Sequence, residues 1–220
     1  MEHGRALRRF FVSSLQQIGL ELNQDQIDKC LLYLEQLLQW NKTTNLTGIE
    51  DPREVISKHF VDSLTALQAI NFPPNALAID IGSGAGFPGL PLKIARQDLQ
   101  MVLIEPVQKK SSFLVSIIGK LKLTGASVYT GNLAQYVAQA TPLLADIMTV
   151  RALRFDEVEA DAFHVLKNDG KVLLYRAEKF GTVDHLRKFS IASETSFSLP
   201  MNSGNRVVSV MIKKEFGRSG

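Results

Sequence analysis

The chain has 220 residues, 45% hydrophobic and 21% charged, enough for a substantial core in one domain with an appendage. Its net charge of +3 suits a nucleic-acid partner without requiring one, and no apolar run approaches the ~20 residues of a membrane span. The single cysteine, Cys30, excludes an internal disulfide, and Arg5, Arg8 and Arg9 lack the apolar stretch that follows them in a signal peptide. The sequence therefore predicts a soluble, cytoplasmic protein.

Residues 1–70 read as a helical extension. Ile27, Cys30, Leu31, Leu34, Leu37 and Leu38 recur at helical spacing, and the stripe ends near Trp40. The polar stretch from Asn41 to Gly48 predicts a connecting loop. A second stripe, Val55, Ile56, His59, Phe60, Ser63, Leu64 and Leu67, follows the start signal Asp51-Pro52.

From residue 71 the pattern changes. Residues 76–81, 101–104, 127–129, 147–150 and 171–175 are short apolar runs separated by stretches long enough for helices, such as 109–121. This alternation predicts an α/β, Rossmann-like domain over 71–220 with a mostly parallel sheet. Runs at 195–199 and 206–213, with Pro200, Asn202 and Gly204 between them, predict a closing antiparallel hairpin.

The most informative segment is Asp80-Ile81-Gly82-Ser83-Gly84-Ala85-Gly86-Phe87-Pro88-Gly89, a strand end running into glycines and then a helix. Glycines permit positive φ and let a ligand approach bare backbone. In an open α/β sheet a nucleotide-like ligand sits beyond the carboxyl end of such a strand. Gly84, Gly86 and Gly89 match the dinucleotide fingerprint, which leaves an NAD-linked oxidoreductase open. Asp80, disfavoured beside a pyrophosphate but suited to an α-ammonium group, points instead to S-adenosylmethionine. Asp80, Gly82, Gly84 and Gly86 are then the expected cofactor contacts. Glu105 ends the next strand, twenty-one residues after Gly84, where its carboxylate can accept from two ribose hydroxyls. Arg151 ends the fourth strand and suits a methionine carboxylate, a phosphate or the target base.

Together these residues resemble the glycine loop of class I methyltransferases and, more closely, the bacterial glucose-inhibited division protein B family of small-subunit ribosomal RNA methyltransferases. Trp40-Asn41-Lys42 and Asn45-Leu46-Thr47 match its W-N-K-x-x-N-L-T signature. His59-Phe60 with Asp62-Ser63-Leu64 matches its H-x-x-D-S-L helix, and Asp80 to Leu92 its glycine loop with the distinctive tail from Phe87. Lys109-Lys110, Phe113-Leu114 and Arg151-Ala152 complete the series in the family's order.

The resemblance implies methylation of guanine N7 in 16S ribosomal RNA with S-adenosylmethionine as donor. It adds Phe87, Leu133 and Ala134 as cofactor contacts and Arg151 as the catalytic candidate. Guanine N7 has an in-plane lone pair and no proton, so it needs placement rather than a general base. The absence of a D/N-P-P-Y tetrad and of a cysteine near the fourth strand agrees. Asn41, Lys42, Asn45, Lys109, Lys110, Arg176 and Arg206 are the candidate RNA contacts. Tyr175-Arg176-Ala177-Glu178-Lys179 departs from the family's lysine-glycine, with Arg176 in the lysine's role, and Asn132 and Ala134 replace an arginine and an acid carried by many members. His59 reads as a buried, hydrogen-bonded histidine. His164 has no ligand-type neighbours, so no metal is expected. A non-catalytic RNA-binding protein on this fold remains the other alternative.

Overall fold

The computed structural model describes residues 2–139, 141–180 and 186–214. Two long helices open the chain, α1 (Glu2–Gln17) and α2 (Gln24–Thr44). Asn23 starts α2 with a reciprocal capping box to Gln26, and Asn45 closes it in the left-handed conformation at φ 50°. The loop predicted from Asn41 is therefore helical as far as Thr44. Trp40 packs edge-on against Phe113 at 5.5 Å, and Asn41 exchanges two 2.9 Å hydrogen bonds with the Thr47 backbone. These tertiary bonds override the weak helix propensity of the polar stretch.

The second predicted helix is broken into segments. Asp51 caps α3 (Pro52–Val55), a π-helical turn runs over Ile56–Val61, and α4 (Asp62–Leu64) and α5 (Ala66–Ala69) complete it. Tyr175 Oη donates to the Ser63 carbonyl (2.6 Å) and Ser57 Oγ to the Pro200 carbonyl (2.8 Å), so this segment is tied to the sheet.

The sheet contains β1 (Leu77–Ile81), β2 (Gln100–Glu105), β3 (Ala126–Thr130), β4 (Ala145–Arg151), β5 (Leu166–Arg176), β6 (Phe189–Ser198) and β7 (Asn205–Lys213). Their order is β3-β2-β1-β4-β5-β7-β6. The first five are parallel, and β7 runs antiparallel between β5 and β6, as the hairpin predicted.

Side chains alternate across this sheet. Met101 and Leu103 of β2 join a cluster with Phe11, Tyr33, Phe60 and Phe113, whereas Val102 and Ile104 join one with Tyr136, Phe155 and Val165. The first face carries α1, α2, α6 (Gly89–Ala95) and α7 (Gln108–Lys120). The second carries α8 (Leu133–Val137) and α9 (Phe155–Val165). The strand order reverses between β1 and β4, and a crevice opens beyond their carboxyl ends.

Candidate active site

A cavity of about 390 Å³ occupies that crevice, within the ~300–1,000 Å³ usual for small-molecule sites. Gly82, Ser83, Gly84 and Phe87 form one wall and Glu105, Pro106 and Lys110 another. Gly84 has φ +59°, and a Cβ there would meet only the Gly82 carbonyl, at 3.9 Å, so bare backbone faces open space. Glu105 is almost fully buried and accepts hydrogen bonds from Gly84 N–H (2.7 Å) and Val107 N–H (2.8 Å). A carboxylate offers about four lone-pair sites, which leaves two for hydroxyl donors in the cavity. Bare backbone beside a carboxylate with spare acceptor capacity fits an adenosine ribose.

Asp80 and Gly86 sit elsewhere than expected. Asp80 is fully buried, accepts from Thr149 Oγ1 (2.7 Å) and Gly89 N–H (3.2 Å), and does not line the cavity. Burial raises its carboxyl pKa against the opposing pull of those hydrogen bonds. It thus joins β1, β4 and the start of α6 and holds the glycine loop from behind. A Cβ on Gly86 would meet Tyr33 Oη at 2.5 Å, so this glycine makes room for the core. Tyr33 donates to the Ala85 carbonyl and stacks on Phe87 at 5.1 Å, bracing the loop from α2. Leu133 and Ala134 open α8 beyond β3, Leu133 buried and Ala134 exposed, and neither lines the cavity.

A second cavity, of about 700 Å³, adjoins the first, and His59, Arg151 and Ala152 line both. Arg151 extends from the end of β4 to Asp62 of α4 (3.0 Å), the Lys58 carbonyl (3.3 Å) and His59 Nδ1 (3.3 Å). Arg206 from β7 grips the same carboxylate through Nε and Nη2. His59 stacks on Phe87 at 4.8 Å, and its Nε2 lies 2.8 Å from Thr47 Oγ1. Burial, reinforced by the Arg151 cation, pushes the imidazole pKa down to about 3, so the ring is neutral at physiological pH.

The family profile for GidB, described as rRNA small subunit methyltransferase G, matches residues 26–207. The chain belongs to this family. Among its relatives is the ribosomal RNA small subunit methyltransferase G of Lachnoclostridium phytofermentans, 32% identical over 93% of this chain and 88% of that one. The proteins of the same name from Syntrophotalea carbinolica (31%, covering 93% and 96%) and Listeria monocytogenes (31%, covering 92% and 89%) are similar over their lengths too. Solved structures share the fold at low identity. MtNAS in complex with MTA and tNA superposes with a TM-score of 0.60 at 15% identity, covering 97% of this chain and 88% of that one. A SAM dependent methyltransferase from Aquifex aeolicus gives 0.52 at 14%, covering 80% and 98%.

The candidate RNA contacts are distributed unevenly over the two cavities. Lys110 lines the first and Arg176 and Arg206 the second, whereas Lys42 and Lys109 are exposed and line neither. Asn41 spends its amide on Thr47, and Asn45 is the left-handed cap of α2, so both shape the loop. Arg176 stacks over Phe180, its Cζ 3.4 Å from the ring centroid. Sequence reasoning did not single out Thr47, Asp62 or Leu153 for the site. For Asp62 the His59–Asp62 spacing, one helical turn, was an available signal. Among the described residues no three His, Cys, Asp or Glu side chains group so as to hold a metal ion, and no helix is long and apolar enough to cross a membrane.

Proposed function

We propose that this protein transfers the methyl group of S-adenosylmethionine to N7 of a guanine in 16S ribosomal RNA, in the cytoplasm. One observation carries the reading: the nucleoside-sized cavity and the larger basic one meet along His59, Arg151 and Ala152. A donor bound in the first presents its methyl group to an acceptor in the second.

S-adenosylmethionine supplies a methyl carbon made electrophilic by its sulfonium. Glu105 takes the ribose hydroxyls, while Gly84 lets the cofactor lie against the chain and Phe87, fixed between Tyr33 and His59, closes the wall. The guanine N7 lone pair forms the new N–C bond as the S–C bond breaks, and no proton moves. What the residues contribute is in-line placement and exclusion of water. His59, neutral and hydrogen-bonded, frames the opening without acting as a base. Lys58, Arg151, Arg176 and Arg206 outnumber Glu178 among the charged residues lining the second cavity, a balance that favours a polyanion. Lys42, Lys109 and Lys110, outside this cavity, are further candidate phosphate contacts. Residues 1–70 act as an extension of the methyltransferase domain, since α2 braces the glycine loop and α4 supplies Asp62.

The test is transfer of labelled methyl from S-adenosylmethionine to small-subunit RNA or particles, followed by nucleoside analysis. Label in 7-methylguanosine is expected. A protein that binds the RNA and S-adenosylhomocysteine without transferring methyl is a binding module instead.

A further inference from the structure

Asp62 is fully buried and lines neither cavity, yet it touches two of the three arginines that do. Arg151 Nη1 donates to its Oδ2 at 3.0 Å. Arg206 offers its Nε–Nη2 edge, with Nη2 at 3.0 Å from Oδ2 and Nε on Oδ1. The two guanidiniums come from β4 and β7, fifty-five residues apart in sequence, and are 16% and 19% exposed. Two cations this close repel, and the shared carboxylate is what keeps them side by side where they line the second cavity. The Asp62 backbone carbonyl accepts from Thr65 Oγ1 (2.6 Å), and the next residue, Ser63, is held by Tyr175 Oη on its carbonyl and by its own Oγ on the His59 carbonyl (2.5 Å).

We infer that Asp62 is a positioning residue for methyl transfer, and that it locks Arg151 and Arg206 into a paired fork whose free N–H edges receive a phosphodiester of the RNA. A guanidinium has five N–H donors in a fixed plane. Arg206 spends its Nε–Nη2 edge on Asp62, which turns the Nη1 corner away from the carboxylate, and Arg151 is fixed on its other side by His59. Planar donors held in this way suit the tetrahedral oxygens of a phosphate in the target strand. The inference rests on the RNA-methyltransferase reading and adds to it the residue that orients the anion site.

Asp62→Asn keeps the volume and removes the charge, and it is compared with wild type in three assays. The expected result is a fall of tenfold or more in kcat on small-subunit RNA, with S-adenosylhomocysteine affinity within about threefold of wild type. RNA affinity at low salt should hold or increase, because one negative charge is lost. A purely structural carboxylate would instead lower both affinities and turnover together with the folded fraction. Arg206→Met and the double variant Asp62→Asn/Arg206→Met complete a cycle, and the double variant also removes an excess buried charge should Asp62→Asn fold poorly. A combined loss in kcat smaller than the product of the single losses supports action through Arg206. Strictly multiplicative losses, or normal kcat in Asp62→Asn while wild type methylates, overturn the inference. A wild-type protein that transfers no methyl to RNA overturns the functional reading and this role with it.

Discussion

Replacing Glu105 with glutamine tests the proposed ribose contact. The carboxylate is 3% exposed, and its two backbone donors, Gly84 N–H and Val107 N–H, occupy one lone pair on each oxygen. Glu105 lines the cavity, and its remaining lone pairs are the proposed acceptors for the two ribose hydroxyls. A hydrogen bond to a charged acceptor contributes about 1.5–3 kcal/mol, and one to a neutral acceptor about 0.5–1.5 kcal/mol. Glutamine keeps one oxygen, loses the charge, and turns an amide N–H₂ toward one of the backbone donors. The loss in binding should be about 2–4 kcal/mol, or roughly 30- to 1,000-fold in Kd. A donor facing a donor should also cost about 1–3 kcal/mol of stability, seen as a lower melting temperature in a chain that still folds. Calorimetry with S-adenosylhomocysteine measures the first quantity, because that ligand keeps the ribose and lacks the reactive methyl. Binding within about threefold of wild type would refute the assignment.

Gly84→Val should abolish S-adenosylhomocysteine binding while costing about 1–2 kcal/mol from the strained positive φ, whereas Gly89→Ala should mainly lower the melting temperature. At Gly89 a Cβ would meet Leu103 Cδ2 at 2.5 Å and Asp80 Oδ2 at 2.8 Å, so the core is hit there and the ligand space is spared. Because the His59 pKa falls from 6.5 to about 3 on folding, the unfolded chain binds the extra proton below pH 6.5. Stability should therefore be undiminished above pH 6.5 and drop by about 1 kcal/mol per pH unit below it, a slope His59→Gln should lack. Denaturant curves at pH 7, 6 and 5 decide, and parallel losses in both proteins would contradict the burial argument. Arg151→Lys should fold and bind S-adenosylhomocysteine, yet lose about 1–3 kcal/mol of transition-state stabilisation, roughly five- to 150-fold in kcat/KM, since an ammonium cannot reach Asp62, Lys58 and His59 together.

The sequence showed clearly what is local and periodic. The apolar runs of β1, β2 and β4 are continuous because both sheet faces are covered, and the glycines after β1 mark the one turn that must present bare backbone. The type of Asp80 suggests a ligand contact, while its position in the alternation puts it beside Ala78 on the face packed by α6. Pairing with Thr149 then consumes its carboxylate. Residues 41–44 are polar and signal a loop in the sequence, while the Trp40–Phe113 contact and the Asn41–Thr47 hydrogen bonds accompany a helix that runs to Thr44. Asp62 and Arg206 are 144 residues apart, a separation over which no single sequence carries a pairing signal.

The reaction is identified by its product, N7-methylation of one guanine in small-subunit RNA. Mass-spectrometric mapping of 16S RNA from a strain lacking this gene, and from the same strain with the gene restored, tests it most directly. One 7-methylguanosine should disappear on deletion, return with the intact protein, and fail to return with Glu105→Gln at low S-adenosylmethionine. An unchanged set of 7-methylguanosines, or loss of a methyl group from a different atom or a different RNA, would rule out guanine N7 of 16S RNA as the acceptor.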